Sequence, residues 1–110
     1  MRILVRHPAG DADGRLASHA EKLLRRVLDR YCLSIGLVQV RFNTSAGAEG
    51  VPSSRCRLAV KLLSGDVVRT EAFDLEAVPA LYRAADRVAF LLWQRLKSAN
   101  NRLDSERVMG

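Results

Sequence analysis

Alternation and helical periodicity succeed one another along this chain in a definite order. Residues 2–7 alternate, with Ile3 and Val5 on one side and Arg2, Leu4 and Arg6 on the other, which predicts a half-buried strand. Residues 8–14 read as a loop closed by Asp13-Gly14. From Arg15 to about Tyr31 the period becomes helical: Leu16, Ala20, Leu23, Val27 and Tyr31 form an apolar stripe, widened by Leu24 and Leu28. Ile35–Phe42 alternates again, Val38, Val40 and Phe42 facing one way and Leu37, Gln39 and Arg41 the other. Asn43–Ser54 is small and polar and predicts a mobile hairpin loop. In the strand expected over Arg55–Leu63, Cys56, Leu58, Val60 and Leu62 point inward, and Arg55, Arg57, Ala59 and Lys61 outward. Ser64-Gly65-Asp66 turns into a further strand, Val67–Phe73, with Val68, Thr70 and Ala72 inward and Arg69 and Glu71 outward.

Pro79 suits the first position of a closing helix, where its missing N–H costs nothing. That helix is expected to run to about Ala99 and end at Asn100-Asn101, with Leu81, Ala85, Val88, Leu92 and Leu96 as its core stripe. The order is strand, helix, three strands, helix. It predicts an α+β fold, β-α-β-β-β-α, in which three strands form an antiparallel meander. Both helices should pack on one face of the four-stranded sheet and leave the other face to water.

Composition fits one domain of 110 residues with its own core, since hydrophobic types make up 48%. Charge adds more. Eighteen Lys and Arg against 12 Asp and Glu leave a net +6, which draws the chain to a polyanion: RNA, DNA or an anionic membrane surface. Cys32 and Cys56 form neither a CxxC nor a disulfide framework and are expected to be reduced. The opening residues contain no signal-peptide core, and no stretch is long enough to span a membrane, so the expected location is the cytoplasm, with no membrane partner.

The outward register places Arg2, Arg6, Arg41, Arg55, Arg57, Lys61 and Arg69 on the open sheet face, with Glu71 as almost the only acid. Charged residues on a solvated face are ordinary, but one-signed clustering repels itself and fits a partner better than filler. On the first helix Lys22, Arg26 and Arg30 recur every fourth residue opposite the apolar stripe, with Arg25 beside them. On the second, Phe90 falls opposite the core stripe among Arg83, Arg87, Gln94 and Lys97, with Tyr82 and Trp93 nearby. Tyr82 reads as packed at the flank of the core. A ring such as Phe90 among arginines either stacks on a base or buries itself in another protein.

Catalytic chemistry finds no foothold. The sequence has no Gly-rich phosphate loop, His/Cys metal spacing or nucleophile elbow, so no enzyme activity, cofactor or metal site is expected. His7 and His19 stand alone. Asp13 suits a helix cap, and Asp74 and Glu76 lead into the second helix.

Leu81-Tyr82-Arg83-Ala84-Ala85-Asp86 resembles the hydrophobic-Tyr-Ala-Ala-Ile-Asp motif of the ribosome hibernation-promoting and ribosome-associated inhibitor proteins, also called sigma-factor modulation proteins. Leu92, Leu96 and Lys97 are similar to that family's leucine- and lysine-rich helix end, and Gly65-Asp66 with Val68…Glu71-Ala72 to its turn and Ala-Glu-Ala strand. The resemblance covers residues 1 to about 100. It implies a single domain, here over residues 1–103, and non-catalytic binding to the small ribosomal subunit through basic residues on rRNA, which silences translation in stress; the chain after Leu103, residues 104–110, reads as a frayed tail. Arg26 and Lys97 match family positions directly. Arg41, Arg57, Lys61, Lys22, Arg25, Arg30, Arg83 and Arg87 are RNA-binding candidates by their faces. Phe90-Leu91-Leu92-Trp93 departs from a stretch that is usually charged in the family. It opens an alternative: a regulatory module of the same fold that docks a protein, or a second copy of itself, through Phe90 and Trp93.

Overall fold

The computed structural model describes residues 1–6, 14–46 and 50–109. Its elements are β1 (Arg2–Arg6), α1 (Arg15–Leu28), a 3-10 segment (Asp29–Ser34), β2 (Ile35–Ala46), β3 (Pro52–Leu62), β4 (Val67–Asp74) and α2 (Ala77–Met109). The four strands lie in sequence order. β1 runs parallel to β2 across the α1 connection, and β2, β3 and β4 form the expected antiparallel meander.

One core holds this arrangement. Val38, Val40 and Phe42 of β2, Cys56, Leu58, Val60 and Leu62 of β3, and Val68 and Ala72 of β4 are buried in a single cluster with residues from both helices. α1 contributes Ala20, Leu23, Leu24 and Leu28, and α2 contributes Ala80, Leu81, Ala84, Ala85, Val88 and Leu92. Both helices therefore cover the same face of the sheet. The alanines let the α2 backbone come close to β4: the Thr70 hydroxyl, on the inward face, donates to the Ala84 carbonyl at 3.3 Å. Among the described residues no polar or charged residue is buried.

Several boundaries differ from the sequence expectation. The hairpin ladder continues through Asn43↔Arg55, Thr44↔Ser54, Ser45↔Ser53 and Ala46↔Pro52, where the sequence predicts a loop. Backbone pairing needs no apolar side chain, so a polar stretch extends a ladder that the core has already put in register. α1 stops at Leu28 and tightens into the 3-10 segment, so Tyr31 is half-buried off the helix end. Gly14, at φ 71°, caps α1 without a side-chain hydrogen bond; Asp13 lies outside the described residues, as do His7, Asp11 and the loop tip at 47–49. α2 begins at Ala77, putting Pro79 inside its first turn, and continues to Met109 past the expected stop near Ala99. Asn residues lower helix propensity without breaking a helix already under way. As expected, Asp74 leads into α2: its Oδ1 accepts from the Leu75 N–H at 2.7 Å.

The β3–β4 turn is set by Gly65, whose φ of 99° favours glycine, while the Leu62 N–H donates to the Asp66 carbonyl at 2.8 Å.

Burial pushes the Cys56 thiol up to about 12, whereas Cys32 is part exposed. The native protein should therefore alkylate at Cys32 alone near pH 8, and Cys56 should react only after denaturation; mass spectrometry of the labelled peptides checks this. Leu81→Ala, at a fully buried position, should lower unfolding stability by about 2–5 kcal/mol in denaturant titrations.

Candidate nucleic-acid interface

Because one face of the sheet is filled, the alternate side chains have only the other face to occupy. The strand registers arrange them in cross-strand rows. Arg2, Leu37, Lys61 and Val67 form one; Leu4, Gln39, Ala59 and Arg69 the next; Arg6, Arg41, Arg57 and Glu71 a third; and Asn43, Arg55 and Phe73 a fourth. A half-open concavity of about 540 Å³ crosses all four strands, lined by Leu4, Arg6, Gln39, Arg41, Arg57, Ala59, Arg69 and Glu71 among others. Its lining thus combines four arginines and one acid with the apolar Leu4 and Ala59 and the Gln39 amide.

Glu71 is the pivot of this face. Its carboxylate pairs with Arg55 and, at 3.4 Å, with Arg57. The hydrogen bond from Arg55, helped by the charges of Arg55 and Arg57 and opposed by partial desolvation, holds the Glu71 carboxyl below the usual glutamate range. Arg55 also lies over the Phe73 ring at 5.5 Å, and its Nε, though buried, has no hydrogen-bond partner. Among the described residues Arg2, Arg6, Arg41, Lys61 and Arg69 make no ion pair, so the excess charge of this face is uncompensated.

The helix cations lie on the far side of the molecule from this face. Lys22, Arg25, Arg26 and Arg30 belong to the opposite layer, and Arg25 is held by Glu21 at 3.0 Å while Arg30 stands 5.7 Å from the Tyr31 ring. On α2, Arg83 pairs with Asp74 at 3.5 Å. Arg87 donates to the Glu71 carbonyl at 2.6 Å and so covers part of the free edge of β4. The structure thus brings Arg41, Arg57 and Lys61 together on the sheet. It separates them from the α1 stripe, and it engages Arg83 and Arg87 within the chain. Arg55, Phe73 and Glu71 are members of the face beyond the RNA-binding candidates named from the sequence. Phe73 shares the outward parity of Arg69 and Glu71, which was the signal for it.

Phe90 is 56% exposed and Trp93 44%, and their rings stack at 6.2 Å with an interplanar angle of 25°. Lys97 caps the Trp93 ring at 4.5 Å. Tyr82 is not tucked into the core flank: it is 40% exposed, its ring edge-on to His19 and its hydroxyl 3.3 Å from the His19 Nε2. Among the described residues no cluster of His, Cys, Asp and Glu is arranged to hold a metal, and no helix is long and apolar enough to cross a membrane.

This architecture, a basic four-stranded sheet backed by two helices, defines a fold class with solved members. The structural neighbours match the hibernation-promoting factor family that the sequence resembles. One is the N-terminal domain of Thermus thermophilus Protein Y, with a TM-score of 0.60 and 26% identity over 84% of this chain and 93% of that one. Another is a ribosomal subunit interface protein from Coxiella burnetii, with a TM-score of 0.60 and 19% identity over 92% of this chain and 99% of that one, which shares the fold. No protein-family model matches the sequence, and no curated protein matches it significantly.

The lowered Glu71 acidity fixes the sign of a pH effect. The Arg55–Glu71–Arg57 pairing contributes its stabilisation fully above the ordinary glutamate range and loses it as pH falls through the lowered folded value. A carboxyl NMR titration should give Glu71 a midpoint below that of a free glutamate. Thermal unfolding of Glu71→Gln and wild type should converge in acid, where both side chains are neutral. Phe90→Ala should leave monomer stability within about 0.5 kcal/mol of wild type, as expected of an exposed ring, and urea unfolding measures this.

Proposed function

We propose that this protein binds the small ribosomal subunit through its rRNA, without catalysing a reaction, and silences translation under stress. The observation that carries the proposal is the open sheet face, where Arg2, Arg6, Arg41, Lys61 and Arg69 stand without acid partners in and around the concavity. Neutralising phosphates relieves the mutual repulsion of such a face and releases counterions from the nucleic acid. The fold shared with a protein described as a ribosomal subunit interface protein supports the choice of target. In this reading the acting unit is residues 1–103, with 104–110 as a tail, working in the cytoplasm without cofactor or metal.

Arg41, Arg57 and Lys61 supply the sheet contacts, and Lys22, Arg25, Arg26 and Arg30 a second basic surface on α1. Arg83, Arg87 and Lys97 contribute from α2, the first two only after releasing their partners within the chain.

Sedimentation with ribosomes at two salt concentrations tests the proposal. Charge reversal at Arg57 and Lys61 should weaken association without unfolding and lower the salt slope by about one unit for each phosphate that is no longer neutralised. Unchanged binding and slope would remove the sheet from the interface. Substituting Lys22, Arg26 and Arg30 together by Glu should abolish association while circular dichroism stays native; survival of binding would make the α1 stripe ordinary surface.

The stacked, exposed Phe90–Trp93 pair favours a second reading, a regulatory module that docks a protein or a second copy of this chain. Phe90→Ala would then abolish that complex and leave RNA binding intact. A drop of about 1–3 kcal/mol in RNA affinity would instead make the ring a base-stacking contact.

A further inference from the structure

The open face contains a ring that the phosphate contacts above do not use. Phe73 is 51% exposed and lies opposite Arg55 in the β3–β4 register, while Arg55 lies opposite Asn43 in the β2–β3 register. An aromatic ring with a guanidinium over one face, 5.5 Å from its centroid, therefore stands beside an exposed amide and next to the row of Arg6, Arg41 and Arg57. Glu71 fixes the guanidinium in place. Planar groups of this kind stack on a nucleobase, and an amide can both donate to and accept from its edge. Glu71 beside the ring repels phosphate, and the arginines beyond it attract phosphate. The charge order across the sheet thus assigns the base to the Phe73 end and the backbone to the Arg41 end.

We infer that the open sheet face is a single-stranded RNA site, in which one unstacked base lies on the Phe73–Arg55 pair and its backbone crosses Arg57, Arg41 and Arg6. The inference rests on the RNA-binding reading above and deepens it. A duplex hides the faces of its bases and would offer this sheet phosphates alone, so the ring selects an unpaired strand.

Fluorescence anisotropy with labelled oligo(U) and with an RNA hairpin of the same length, its two strands joined by a non-nucleotide linker so that no base is unpaired, tests it, run beside ribosome sedimentation. Oligo(U) should bind more tightly than the hairpin. Phe73→Ala should weaken oligo(U) binding roughly 5- to 100-fold and leave the hairpin unaffected. Phe73→Tyr, which keeps the π-face, should bind as wild type does, and unchanged hairpin binding by Phe73→Ala shows that its defect is not one of folding. Equal affinities for the two RNAs, or a Phe73→Ala variant that binds oligo(U) normally, overturn the site; ribosome association would then stand on the other surfaces. Oligo(U) binding that depends on Phe73 in a chain that ignores ribosomes supports the site and overturns the ribosomal reading alone.

Discussion

The pleat of the sheet is the constraint on which the rest depends. Successive side chains of a strand point to opposite faces, so a chain that buries one parity must show the other to water. Here the buried parity runs without interruption from Val38 to Phe42 and from Cys56 to Leu62, and both helices seal it. A slip of β3 by one residue against β2 would drive Arg57 and Lys61 into that core. Such a slip is prohibitively costly, since burying an unpaired charge costs several kcal/mol per ion. The core thus fixes the charge pattern of the opposite face as firmly as it fixes the fold.

That pattern is not neutral, and the structure manages only part of it. Glu71 binds Arg55 and Arg57, and its own backbone carbonyl takes the Arg87 guanidinium at the free edge of β4. One acid therefore tempers two cations on the face and anchors a third at the edge. Cations opposite one another in neighbouring strands, as in the Arg6, Arg41 and Arg57 row, repel at a modest cost in isolation. A polyanion that neutralises them turns the cost into binding free energy. Because the helices occupy the other side, the sheet is free to meet a ligand as a broad surface, while the α1 cations would have to reach a different part of it.

Much of this was legible in the sequence because the signals were periodic. Alternation gave the inward and outward residues of β2, β3 and β4, including the face of Arg69, and the helical period gave the α2 stripe and the exposure of Phe90. What escaped was set by tertiary context. The ladder through Asn43 and Ser54 is held by backbone pairing and shows no hydrophobic pattern. The 3-10 turn at Asp29–Ser34 has no composition of its own, and the helix continues past Asn100-Asn101, residues that read as a stop signal. Within the site, sequence counts cations but not their partners. Arg25, Arg83 and Arg87 looked as free as Arg41, yet each is held by a residue that only the fold, or a helical turn, brings within reach.

On the reading proposed above, the open sheet face receives the RNA. Amide chemical-shift mapping of the isotopically labelled chain during titration with ribosomal RNA tests it most directly. The largest changes should fall at Arg41, Arg57, Ala59 and Arg69 and fade as salt is raised. Changes confined to α2 around Phe90 and Trp93, with the sheet amides unmoved, would contradict it.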